Sequence, residues 1–198
     1  METAEIDHEL TDKVAEFVSS TGYPTPGHEQ DKADRRDFAK LLDPDELAIA
    51  DPTDIRRIWN SGRYGSTGPM STLNTSIRDA DDAEHRRIIE TFSYICWGDE
   101  PPAKRIDRVL EDSVLRVRGL GESVIMKLLA ITHPEQFITV YPYGGPKGKL
   151  KMLKLLDLPT PNSDSRGQSQ VESNDSLRSY LDRYFPGDPL AAGVFLYW

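Results

Sequence analysis

The chain has little of what staples a small protein or anchors it in a membrane. Cys96 is the single cysteine in 198 residues, which excludes a disulfide framework, a four-cysteine zinc site and a four-cysteine iron–sulfur cluster. No apolar run approaches the ~18 residues of a membrane span. Met1-Glu2-Thr3-Ala4-Glu5 lacks the basic and apolar regions of a signal peptide. The expectation is therefore a soluble, cytoplasmic chain with no membrane partner. Positive charge is also scarce: 24 Lys and Arg stand against 33 Asp and Glu, a net −9. That balance excludes a protein that binds polyanions with its whole surface. The apolar residues make up 37%, enough for a core but with long polar segments besides. The four histidines, His8, His28, His85 and His133, never pair at metal-ligand spacing, and no metal or cofactor is expected.

What is present reads as helix nearly throughout, with no sustained strand pattern and no internal repeat. Apolar residues recur at helical spacing over 5–19, and a polar helix is expected over 28–42. Asp51-Pro52 opens a helix through Trp59, an open loop covers 61–69, and a short helix covers 71–78. Asp81 and Glu84 resemble a capping box ahead of the stripe Ile88, Ile89, Phe92, Ile95 and Cys96. Pro101-Pro102 starts another helix, and more follow over about 121–133 and 147–157. Residues 159–173, rich in Pro, Ser and Gly, are expected to be a mobile loop, ahead of closing helices in 174–198. Four large apolar residues at the end, Phe195-Leu196-Tyr197-Trp198, suggest a piece of a longer protein. The expected architecture is a single all-α domain over 1–198, a compact multi-helix bundle.

Charge is unevenly spread. Residues 1–103 hold 11 basic and 22 acidic side chains, whereas 104–154 hold 10 basic and 5 acidic. An anionic partner is expected to dock on that basic segment. Its most specific feature is Val117-Arg118-Gly119-Leu120-Gly121-Glu122-Ser123, where two glycines flank one apolar residue ahead of an apolar helix. Gly119 and Gly121 are free to take φ > 0 and to expose backbone N–H groups, Leu120 anchors the turn, and the helix start faces outward toward a phosphate. Lys147, Lys149, Lys151 and Lys154 follow in a basic helix. Gly144-Gly145-Pro146-Lys147-Gly148-Lys149 lacks the P-loop frame.

This order of hairpin, apolar helix, extended Phe137-Ile138-Thr139-Val140 piece and basic helix resembles that of the helix-hairpin-helix DNA glycosylases, over about residues 105–158. The resemblance implies a glycosylase-like helical fold that grips DNA backbone without reading sequence. It implies no chemistry, because the position of the lyase lysine holds Ser123 and that of the catalytic aspartate holds Tyr141. Lys127, one turn further on, reads as a surface lysine. Trp59-Asn60-Ser61-Gly62-Arg63-Tyr64-Gly65 and the segments after it also look like the N-terminal regions of bacterial McrB-like AAA-type restriction proteins. That resemblance implies a DNA-inspecting module, often for a modified base, beside a motor or nuclease.

The reading is thus a non-catalytic module of a restriction or antiviral defence system that binds double-stranded DNA. Arg118, Gly119, Gly121, Ser123, Lys147, Lys149 and Lys151 are the expected backbone contacts. Arg63, Tyr64, Tyr141 and Tyr143 are the candidate base contacts, since an extruded base is held by aromatic stacking. Two alternatives stand beside it: an active glycosylase using another carboxylate, and a protein-interaction module of an AAA-type motor that docks through its acidic half.

Overall fold

A computed structural model describes residues 2–198, with side chains from His8 onward. The described residues form twelve helical segments and no strand: α1 (Glu2–Thr21), α2 (Pro26–Leu41), α3 (Pro44–Ile49), α4 (Pro52–Ile55), α5 (Arg57–Asn60), α6 (Ser71–Arg78), α7 (Asp82–Trp97), α8 (Pro102–Glu111), α9 (Glu122–Thr132), α10 (Lys149–Leu155), α11 (Arg166–Leu181) and α12 (Pro189–Tyr197). None of these helices is long and apolar enough to cross a membrane.

Local chemistry sets most of the starts. Thr25, Asp43, Asp51 and Asp188 each precede a proline and accept a backbone N–H of the following turn, joining a side-chain cap to a ring that needs no N–H. Asp81 caps α7 by accepting from Ala83 and Glu84. The helix α3 was not anticipated, although Asp43-Pro44 carries the same signal.

Burial divides the apolar residues into two clusters. One runs from Phe38 to Tyr141, takes in Leu190 of α12, and centres on α9, in which every residue from Val124 to Ile131 is buried. The other joins Phe17 of α1 to the 138–140 piece and to α10, α11 and α12. Phe17 stacks edge-on against Phe195 at 5.5 Å and Phe185 at 6.0 Å, so α1 and α12 share one aromatic core. The extended piece finds no strand partner among the described residues. Instead Asn174 of α11 accepts from the Ile138 N–H at 3.0 Å and donates to the Gln136 carbonyl at 2.6 Å.

The expected mobile loop over 159–173 is corrected in its second half, where α11 begins at Arg166. The small polar residues there serve close packing. A Cβ on Gly167 would stand 1.9 Å from the carbonyl oxygen of Ala103, so α11 lies directly on α8. Asp107 of α8 accepts from Ser165 Oγ and, at 2.7 Å, from the Gly167 N–H. That carboxylate fastens the start of α11.

Candidate nucleic-acid interface

The glycine turn sits between the end of α8 and the start of α9. Leu120 is buried in the first cluster, and its N–H donates to the Val117 carbonyl at 3.0 Å. Gly119 has φ +85°, and a Cβ there would lie 2.4 Å from the backbone nitrogen of Leu73. Glycine is therefore required at 119, by the start of α6 pressed against it as much as by φ. The expectation for Gly121 is corrected. Its φ is −113°, an ordinary extended value, and a Cβ would meet nothing within 4 Å. What Gly121 contributes is the lack of a side chain at the helix start: α9 has no side-chain cap, and neither does α6 behind Met70. The first-turn N–H groups of a helix have no intrahelical acceptor and carry partial positive charge.

Met70 and Gly121 face a common cavity of about 460 Å³, walled also by Leu110, Leu120, Tyr143 and Gly144. Arg116, Glu122, Ser123 and Arg166 line it as well. Arg116 and the adjacent Arg118 are exposed and form no ion pair among the described residues. Lys147 and Lys151 are likewise exposed and unpaired, with Lys154 continuing the same face. By contrast, the guanidinium of Arg63 lies 3.5 Å from Asp34 and 4.0 Å from Asp31, acids that would repel a phosphate.

Several expected contacts are corrected by burial. Lys149 is fully buried and donates to Gln170 Oε1 at 2.7 Å, because α10 lies against α11 on that side. It cannot reach a phosphate, and desolvation pushes its pKa down to about 7. Gln170 passes the link to Glu122 Oε2 at 2.8 Å, and Arg166 stands 3.8 Å from Glu122 Oε1. Tyr141 and Tyr64 are buried too: the Tyr141 hydroxyl donates to the Tyr64 carbonyl, and the Tyr64 hydroxyl donates to the Ala130 carbonyl at 3.3 Å. Neither ring is available to a base. Tyr143 is half-buried at the cavity, and its hydroxyl makes no hydrogen bond among the described residues.

Lys127 is not a surface lysine. It is buried, and its ammonium donates to the carbonyls of Arg63 and Gly65, each at 2.7 Å. Burial lowers its pKa to about 8. The loop it holds has positive φ at Gly62, Tyr64, Gly65 and Gly68, and it leads into Met70 at the cavity.

In the turn, Glu122 accepts from Gln170 and faces Arg166, and the Ser123 hydroxyl makes no hydrogen bond among the described residues. His85 and His133 face backbone carbonyls, and His28 shares Asp188 with Tyr23 and Lys32. No group of three His, Cys, Asp or Glu suited to a metal occurs among the described residues. No family model matches the chain, and no curated protein or solved structure matches it significantly.

Two cationic side chains at the cavity, Arg116 and Arg166, are not among the contacts expected from the sequence. Arg116 had a signal, since it lies in the basic segment two residues before Arg118. Arg166 had none, because its segment reads as loop.

Proposed function

We propose that the chain binds the backbone of double-stranded DNA and does no chemistry on it, as the recognition part of a restriction or defence protein. One observation carries the reading. A glycine turn with two uncapped helix starts beside it stands next to Arg116 and Arg118, two exposed cations with no ion-pair partner among the described residues. Backbone N–H groups and unpaired guanidinium groups are what hold phosphate without reading sequence. The resemblance of residues 105–158 to the helix-hairpin-helix proteins supports the same assignment. With Lys149 excluded, the contacts are Arg116, Arg118, Gly119, Gly121, Ser123, Lys147 and Lys151.

The test is a titration of unmodified, cytosine-modified and adenine-modified duplexes with the parent and with Arg116→Ala/Arg118→Ala. The parent should bind all three, and the double variant should bind each more weakly by a similar factor. Preference for one modified duplex would add base sensing to the function. Equal affinity of parent and double variant would remove the turn as the contact.

A second reading, a protein-interaction module, rests on a groove of about 650 Å³ between α3 and α7. Ile49 there is 82% exposed and Trp97 is 39% exposed, an arrangement suited to an apolar partner side chain.

A further inference from the structure

We infer, resting on the second reading of the α3–α7 groove as a docking site for protein, that its occupant is α10 of another copy of this chain. The groove is an apolar floor beside an acidic rim. Ile49, Ile89 and Trp97 supply the floor. Glu90 in the lining stands with Asp45 and Glu46 of α3 and with Asp99, four exposed carboxylates that form no ion pair among the described residues. His85 and Arg86, the basic groups of the lining, bond to the carbonyls of Ile77 and Asp82. Such a groove is complementary to a large apolar side chain flanked by cations. The helix α10 presents that pattern. Leu155 is 63% exposed, Lys154 adjoins it, and Lys151 lies one turn before it on the same face. Both lysines are exposed and form no ion pair among the described residues. Val114, also exposed, follows Glu111 and Asp112, acids that the rim would repel. A chain does not fill its own groove. α10 packs on α11, α11 on α8, α8 on α7 and α7 on α3, and the buried Lys149 ties α10 to Gln170 of α11. The contact therefore forms between copies and joins unlike surfaces, so it runs head to tail. Lys151 also serves the proposed contact with DNA, so the assembly belongs to the DNA-free protein.

The experiment is sedimentation velocity of the full chain without DNA, over about 5–500 μM, a range suited to an interface of the small, transient class. At about 50 mM salt the average mass should rise with concentration above that of one chain, and about 500 mM salt should return it toward that mass, because the charges are exposed. Ile49→Glu spoils the groove, and Leu155→Glu spoils the face of α10. Each variant alone should keep the mass of one chain. An equimolar mixture should form a dimer and nothing larger, since one intact groove meets one intact α10 face. That rescue also shows that both variants are folded. A parent that stays monomeric at low salt overturns the inference, as does association that salt leaves unchanged. Self-association of either variant alone, or a mixture that fails to pair, overturns it too. A labelled helical peptide of leucine and lysine separates that failure from failure of the groove. If the parent is monomeric and the peptide binds it but not Ile49→Glu, only the second copy is overturned as occupant. If the peptide binds both alike, or neither, the reading of the groove as a docking site falls as well.

Discussion

Lys127 donates from the protein interior to the carbonyl oxygen of Gly65, 2.7 Å away and 62 residues earlier in the chain. The same ammonium holds Arg63, and the Tyr141 hydroxyl holds Tyr64 between them. Three consecutive carbonyls of one loop are thus held from beneath by α9 and the extended piece. Lys127→Met should strand two acceptors, an expected loss of about 1–3 kcal/mol. Denaturant unfolding should show it, with faster amide exchange over 62–70. An unchanged midpoint and unchanged exchange would show that the ammonium does not hold the loop.

Two buried lysines set a pH dependence. In the fold Lys127 titrates at about 8 and Lys149 at about 7, both below the ordinary 10.5. Between those values and 10.5 the unfolded chain binds more protons than the folded one, so stability rises with pH. The contribution is complete only above 10.5 and is lost as pH falls through about 8 and then 7. Burial raises Cys96 to about 12 and Tyr197 to about 12, and those groups oppose the gain above about pH 9. The urea midpoint should therefore rise from pH 7 to 9. A flat or falling midpoint would mean that burial does not lower the pKa of these lysines as described.

Gly119 and Gly121 should part company. Gly119→Ala meets both a positive φ and the Leu73 nitrogen, with an expected cost of about 1–3 kcal/mol. Gly121→Ala meets neither, and its stability should stay within about 0.5 kcal/mol of the parent. Thermal unfolding of the pair decides this. Equal losses would show that the two glycines are used alike.

No strand breakage is expected when the chain is incubated with modified duplexes and then heated in alkali. The position expected for an amine nucleophile holds Ser123, and the position expected for a carboxylate holds the buried Tyr141. Breaks at one modified base, abolished by replacing a single acid, would restore the glycosylase alternative.

Helices were most legible where a cap is local. Asp81 before α7, Asp51-Pro52 before α4 and Asp188-Pro189 before α12 act on backbone within three residues, and α6 occupies the expected 71–78. The site was less legible because its decisive partners are distant in sequence. Nothing near Lys149 announces Gln170, 21 residues on, and nothing near Lys127 announces Gly65. A lysine at helical spacing reads as solvated until a partner is seen. For the same reason the Ser- and Gly-rich start of α11 reads as loop, since its packing on Ala103 is tertiary. Among the candidates, Arg118, Lys147 and Lys151 stand exposed, whereas Tyr64, Tyr141 and Lys149 are used inside the protein.

The salt dependence of duplex affinity tests the central claim most directly. Four phosphates met by Arg116, Arg118, Lys147 and Lys151 give a slope of log K against log salt of about −4. Removing Arg116 and Arg118 together should shrink it to about −2, and Lys147→Ala should shrink it by about 1. Lys149→Ala should leave the slope unchanged, because that ammonium is buried on Gln170. An affinity independent of salt, or a slope that Lys149→Ala lowers while the arginine pair does not, would contradict backbone binding at the glycine turn.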